Sequence, residues 1–429
     1  MRQHYSQSAA ARDRRVALKY SLAMPAPRKH KAPPSRDIRF FATAAKGLEP
    51  LVAEELRALG AHEVKEARGG ATFAGSRDVA YRACLWLRTA NRVLLPLARF
   101  PAPDAETLYK NVRHMPWEQD LPPDGTLAVD FSGASPGISH TQFGAQKVKD
   151  AVVDRFRELT GRRPSVDKAR PDLLINVHLY RELATVSIDL SGDSLHMRGY
   201  RKESVAAPLK ENLAAALLLK CGWSKIAARG GSFVDPLCGS GTLVIEAAMI
   251  AGDVAPGLAR DYWGFSGWLK HDPALWDAML KDARQRRDAA RGKSPVMLGY
   301  DQDPKAVLAA QLNARTAGVA PALRFEQRAL EQNVLPDGLT PGLAVTNPPY
   351  GERLGDAASL GPLYKSLGDW LKAQCPHWHA GVITDSRELG KQIGLRAGKI
   401  NAFYNGALEC MLLQFEVEEA RYTGGALRA

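Results

Sequence analysis

The chain has 429 residues, 45% hydrophobic and 24% charged, with a net charge of +12. That composition suits a soluble protein of two or three domains and excludes a collagen-like, low-complexity or disulfide-scaffold chain, and no apolar run reaches transmembrane length. The charge is uneven: residues 1–37 hold nine Lys and Arg against Asp13 and Asp37, a net +7, and the remainder carries +5. A basic, disordered tail is expected there, and a basic balance fits an RNA partner through phosphate neutralisation. Cys84, Cys221, Cys238, Cys375 and Cys410 are scattered without a C-x-x-C pair, as in a reducing cytoplasm. His377 and His379 flank Trp378 with no further ligand spacing, so no metal is expected. The stretch 16–24 is interrupted by Lys19 and is too weak for a signal peptide.

From residue 38 to 100 the pattern runs strand, helix, strand, strand, helix, strand. Residues 38–43 are extended, 48–59 have helical spacing with Gly60 as the stop, 71–73 are extended, 79–87 helical and 93–97 apolar and extended. This split βαβ order predicts a small ferredoxin-like unit. Pro101, Pro103, Pro116, Pro122 and Pro123 mark looser connections. A second α/β unit, to residue 192, predicts a strand at 126–131, a long helix at 141–159 and two alternating strands at 173–179 and 184–190. Its helix and the segment beyond carry Lys147, Lys149, Arg155, Arg162 and Arg163, partly offset by Asp150, Asp154 and Glu158. These residues read either as a solvated face or as a phosphate-contacting patch, which positions RNA without reading its sequence.

From residue 193 to 420 short apolar strands at 233, 296, 323, 343 and 382 alternate with helical stretches, predicting a parallel, doubly wound sheet. Residues 253–295 form an insertion rich in Trp and Arg (Trp263, Trp268, Trp276, Arg284, Arg286, Arg287, Arg291), read as packed helices covering the site. Asn405-Gly406 between apolar runs predicts an antiparallel hairpin at the sheet edge. Residues 421–429 are a short tail.

Three motifs carry chemistry. Asp235-Pro236-Leu237-Cys238-Gly239-Ser240-Gly241-Thr242 follows a strand and opens a helix, so its glycines allow close backbone approach and the helix start offers free N–H groups. Val244 stands where a dinucleotide fingerprint needs its third glycine, and Asp235 suits an ammonium better than a pyrophosphate. Asp301 ends the next strand, where a carboxylate can accept from both hydroxyls of a ribose. Asn347-Pro348-Pro349-Tyr350 follows the strand at 343–346. Asn347 and the Pro348 carbonyl can take the two hydrogens of a planar amine while Tyr350 stacks on its ring, favouring the pyramidal, nucleophilic form. Taken alone, that tetrapeptide also reads as a Pro-rich turn. Cys238 has no neighbouring His or Lys motif to activate it and reads as packing.

The order of these motifs resembles class I S-adenosylmethionine-dependent methyltransferases, and Asn347-Pro348-Pro349-Tyr350 resembles the members that modify exocyclic amino nitrogens. With Phe40-Phe41-Ala42-Thr43, Asp130-Phe131-Ser132-Gly133, Thr141-Gln142-Phe143-Gly144-Ala145 and Pro208-Leu209-Lys210-Glu211-Asn212-Leu213, the chain is similar, over residues 38–417, to bacterial THUMP-domain 23S rRNA guanine-N2 methyltransferases of the RlmL type. The resemblance implies an α/β fold: a ferredoxin-like unit (38–100) plus a THUMP RNA-binding domain (101–192), then a Rossmann-like doubly wound methyltransferase sheet with a C-terminal hairpin (193–420). It implies S-adenosyl-L-methionine as cofactor, held by Asp235, Pro236, Cys238, Gly239, Ser240, Gly241, Thr242 and Asp301, and catalysis at Asn347, Pro348, Pro349 and Tyr350. Relatives carry an Asp where this chain has Ala329, so either Glu331 or the backbone alone is left to meet adenine. The implied partner is 23S rRNA with its target guanine flipped out, with Arg353 beside a phosphate, and no membrane, metal or obligate protein partner. A tRNA guanine-N2 methyltransferase or a non-catalytic ribosome-assembly factor are the rival readings. Some relatives carry a second methyltransferase domain; the end of this chain soon after Val417 sets the expectation that this activity is absent.

Overall fold

A computed structural model describes residues 37–201, 209–350, 357–406 and 408–418. Alternating burial along β1 (Ile38–Ala44) turns Phe40, Ala42 and Ala44 inward, and the chain then runs α1 (Glu49–Ala58), β2 (His62–Ala67), β3 (Gly70–Gly75), α2 (Arg77–Trp86) and β4 (Ala90–Pro101). Gly60, at φ +88°, stops α1 as expected for a left-handed cap. Next come α3 (Ala105–His114), β5 (Thr126–Gly133), α4 (Thr141–Thr160), the two-residue β6 (Ser165–Val166), β7 (Leu173–Tyr180) and β8 (Leu183–Asp189). Helix α3 lies in the proline-marked stretch read as loose connection. Asp104 caps it by accepting from Thr107 N–H at 2.7 Å.

The two small units are not separate layers. Strands β1 to β4 have the ferredoxin-like order β2-β3-β1-β4, but β4 runs on for twelve residues and pairs antiparallel with β8, giving one eight-stranded sheet, β2-β3-β1-β4-β8-β7-β5-β6.

The second half holds α5 (Glu211–Lys220), α6 (Trp223–Ala228), β9 (Phe233–Asp235), α7 (Thr242–Ala251), α8 (Pro273–Ala289), β10 (Met297–Asp301), α9 (Pro304–Thr316), β11 (Leu323–Gln327), β12 (Leu343–Thr346), α10 (Ala357–Gln374), β13 (His379–Thr384), α11 (Arg387–Gln392), β14 (Lys399–Asn405) and β15 (Leu408–Glu416). Its sheet order is β11-β10-β9-β12-β13-β15-β14, parallel except for β15, which is antiparallel to both β13 and β14. The order reverses between β9 and β12, the point at which open α/β sheets bind ligands. Among the described residues no helix is long and apolar enough to cross a membrane.

The insertion after α7 is built into the junction with the N-terminal half. Its buried Phe265 and Trp276 pack on Tyr81 of α2, with ring centroids 4.5 and 5.7 Å away. Trp268 Nε1 donates to Asp120 at 2.7 Å, and Arg286 forks onto Asp253 and stacks 3.9 Å from the Trp86 ring. These residues are an aromatic seam joining the two halves. Its polar counterpart is buried against α7. Arg88 donates to the carbonyls of Met249 and Val254, and Arg198 to those of Leu195 and Arg88 and to Glu246 at 3.5 Å. Arg198 and Glu246 are 1% and 0% exposed, and burial raises the Glu246 pKa despite both arginines. Removing one partner of a buried pair leaves the other charge uncompensated. Glu246→Ala is therefore expected to destabilise the chain by about 3–5 kcal/mol, read in denaturant-induced unfolding; an unchanged midpoint would show the pair to be idle.

Candidate active site at the strand switch point

Strand β9 is short and completely enclosed: Phe233 and Val234 are 0% exposed and Asp235 is 1%. It is fixed on both sides, pairing with β10 from Phe233↔Met297 to Asp235↔Gly299, and with β12 through Phe233↔Leu343 and Val234↔Ala344. Their shared direction delivers Asp235, Asp301 and Asn347 to one edge of the sheet, the carboxyl ends of three adjacent strands.

Beyond Asp235 the loop is held by its neighbours. Cys238 N–H donates to the Tyr300 carbonyl at 2.8 Å, and Gly239 N–H to Asp301 Oδ2 at 2.8 Å. Gly241 N–H closes the turn onto the Cys238 carbonyl at 2.9 Å. Gly239 and Gly241 take φ values of +53° and +81°. A Cβ on Gly241 would stand 2.9 Å from the Ala310 methyl and 3.1 Å from the Phe325 ring, so this cap of α7 requires glycine for its space as well as its dihedral. Asn313 Nδ2 donates to the Ser240 carbonyl at 3.2 Å. Thr242 Oγ1 accepts from Arg201, whose guanidinium also meets Glu211 at 2.8 Å and the Leu209 carbonyl. Pro236, Cys238, Ser240 and Thr242 are buried, so they shape the loop more than they face outward. Burial pushes the Cys238 thiol far above its ordinary range, which removes it as a nucleophile.

The carboxylates differ in setting. Asp235 accepts from Leu237 N–H at 3.1 Å, and no ion pair reaches it among the described residues. Burial, with Asp301 adding to it, raises its pKa to about 7. Asp301 is half-buried and holds the backbone of Gly239 with one oxygen and of Asp303, at 2.9 Å, with the other. Each oxygen keeps a second lone pair for a ligand hydroxyl.

At the end of β12, Asn347 is half-buried and its Oδ1 is enclosed with no hydrogen-bond partner among the described residues. Native structures rarely leave such an acceptor unmet without a functional reason. Pro348 is buried, the Pro349 carbonyl accepts from Tyr364 at 3.3 Å, and the Tyr350 hydroxyl accepts from Asn405 Nδ2 at 3.3 Å. Burial keeps the Tyr350 phenol protonated.

The remaining candidates lie after β11 and on the α4 side. Glu331 lies exposed on the single 3-10 turn Leu330–Gln332, with no hydrogen-bond or ion-pair partner among the described residues. On the α4 side Lys149 pairs with Asp150, Arg155 forks onto Glu118 at 2.6 and 2.7 Å, and Arg162 meets Asp124 at 2.9 Å. Lys147 sits over the exposed ring of Phe143 and Arg163 is exposed. Arg353 lies outside the described residues, as do Pro208 and the first 36 residues of the predicted tail. Arg201, Asn313 and Asn405 escaped the sequence reading: the first two stand alone in helical or linker stretches, and Asn405 signalled only a turn.

Residues 198–414 match the family model of the RMKL-like methyltransferase domain, residues 39–94 that of the RlmL ferredoxin-like domain and residues 102–189 that of the THUMP domain. The chain is 57% identical over 389 residues to the ribosomal RNA large subunit methyltransferase K/L of Syntrophotalea carbinolica, covering 90% of this chain and 55% of that protein; it spans about half the length of the curated relatives it matches. SMU.472, whose crystal structure is a complex with SAH, is 32% identical with a TM-score of 0.79, over 92% of this chain and 100% of that one. A "predicted N6-adenine-specific DNA methylase" from Listeria monocytogenes is 31% identical with a TM-score of 0.74, over 89% and 96%. The chain belongs to the RMKL-like methyltransferase family, its class I methyltransferase fold preceded by RlmL ferredoxin-like and THUMP domains.

Proposed function

We propose that this chain transfers a methyl group from S-adenosylmethionine to the exocyclic N2 amine of a guanine in 23S rRNA. The observation that carries the reading is the enclosed Asn347 Oδ1 at the strand switch point, beside a buried carboxylate, the one without a hydrogen-bond partner and the other without a cation among the described residues. The relative from Syntrophotalea carbinolica supports the RNA class.

The residues fit the cofactor. Asp235 without a countercharge suits an ammonium, the loop with Gly239 and Gly241 leaves the backbone open to close approach, and Asp301 suits a ribose. When bound, S-adenosylmethionine supplies an electrophilic methyl on a sulfonium. The protein supplies the rest. Asn347 Oδ1 and the Pro348 carbonyl accept from the two N–H bonds of the amine, drawing its lone pair out of conjugation and stabilising the positive charge that grows on nitrogen. Tyr350 gives the extruded base a surface to stack on. Alignment supplies much of the rate. The proton leaves to water, so no strong base is required. Residues 38–100 and 101–192, ahead of the catalytic residues 193–420, act as the RNA-holding part of the chain, in the cytoplasm.

Methyl transfer from labelled S-adenosylmethionine to 23S rRNA lacking its native modifications, followed by nucleoside analysis, should yield N2-methylguanosine at one position. Label on adenosine, on tRNA alone, or nowhere despite RNA binding would overturn the assignment. Asn347→Ala should lower kcat by about 10²–10³-fold with RNA affinity retained. Asp235 makes cofactor affinity pH-dependent. Its carboxyl is protonated below about pH 7, and docking of an ammonium requires the ionised form. Affinity for S-adenosylhomocysteine should therefore rise with pH, roughly tenfold per unit at the steepest, and flatten above about 7. Calorimetry should detect a proton released on binding below that pH; Asp235→Asn should remove both the slope and the proton.

A further inference from the structure

We infer that the ferredoxin-like module positions Tyr350 through the β14–β15 hairpin, with Asn405 holding the phenol and the Lys46–Gly47 turn holding the hairpin. The inference rests on the reading of Tyr350 as the residue that carries the base.

Strand β14 is the last in its sheet, paired on one side by β15 from Lys399↔Gln414 to Asn405↔Leu408. Its other edge has no strand partner, so the hairpin tip is free to splay unless another part of the chain supports it. That support comes from the turn after β1. Lys46 Nζ donates to the Tyr404 hydroxyl at 3.0 Å and lies 4.6 Å from the centre of the Tyr404 ring. Gly47 has φ +87°, and a Cβ there would stand 3.3 Å from the Ala402 carbonyl, so the turn rests directly on the backbone of β14. Behind it Leu48 and Phe403, 1% and 0% exposed, belong to one apolar core. Directly after Tyr404 along β14 comes Asn405, whose Nδ2 donates to the Tyr350 hydroxyl at 3.3 Å. A contact made by the Lys46–Gly47 turn thus reaches the base-holding ring in two steps, Lys46 to Tyr404 and Asn405 to Tyr350.

Position and mere packing give different results in a double-mutant cycle. Tyr350→Phe keeps the ring and deletes the hydroxyl through which Asn405 acts. In the full-length protein, with single-turnover methyl transfer to unmodified 23S rRNA as readout, Asn405→Ala should slow transfer about fivefold, the worth of one hydrogen bond. S-adenosylhomocysteine affinity and the thermal midpoint should stay unchanged. Tyr350→Phe should lose a similar factor, and the double variant no more than either single one. Lys46→Ala should cost about twofold, as a surface contact does, and nothing in the Tyr350→Phe background. Multiplying effects, or a wild-type rate for Asn405→Ala, would overturn the inference. Tyr350→Ala separates it from the reading beneath it: wild-type turnover there sinks the base-holding role itself, whereas a dead Tyr350→Ala with an independent Asn405→Ala sinks only the relay.

Discussion

Everything at the candidate active site depends on the parallel alignment of three residues, Phe233, Val234 and Asp235, between β10 and β12. A strand paired on both sides and buried on both faces has no freedom of register, since a slip of one residue would turn Asp235 toward the opposite face. The same pairing brings Asp301 and Asn347 up beside it. The backbone positions of the two carboxylates and of Asn347 are therefore fixed by the sheet before any ligand arrives. A buried carboxylate with a pKa near 7 is the strain that this rigidity sustains.

Helix α7 links that edge to the rest of the molecule. Its first residue, Thr242, is gripped by Arg201, and its second turn carries Glu246 into the polar seam with Arg198. Trp223 donates to the Ala247 carbonyl at 2.8 Å and fixes the same turn from α6. One helix thus opens at the glycine loop and ends inside the contact with the N-terminal half. The aromatic seam of Tyr81, Phe265 and Trp276 secures the same junction from another direction.

Much of this could be read from residues. The strands of the second sheet stand out as short apolar runs because both faces are covered, and Asn405-Gly406 marks the hairpin through its own turn geometry. Local signals also exist for α3, where Asp104 and Thr107 make a cap, but the surrounding prolines outweigh them. What sequence patterns do not carry is pairing between distant segments. The joining of β4 to β8 looks, in one dimension, like an ordinary strand of a small domain. The Trp-rich insertion has the composition of a lid, and only its contacts with Tyr81 and Asp120 make it a seam. At the site, Asp235, Asp301 and Asn347 are visible through their place after strands, while Arg201 and Asn405 gain meaning only from what folds against them. Glu331 follows β11 on an exposed turn, and its sequence neighbourhood carries no comparable signal.

The shared eight-stranded sheet also changes what counts as a part of this molecule. A domain boundary near residue 101 looks natural from the family matches on either side. Yet β4, which ends there, pairs with β8 from the other side, from Leu94↔Asp189 to Pro101↔Leu183. Severing the chain there would uncover two long rows of unpaired backbone groups, β4 on one fragment and β8 on the other, the kind of edge that recruits strands from other molecules. The smallest separable N-terminal piece is the complete sheet, so a graft that exchanges the THUMP segment alone would inherit half an interface.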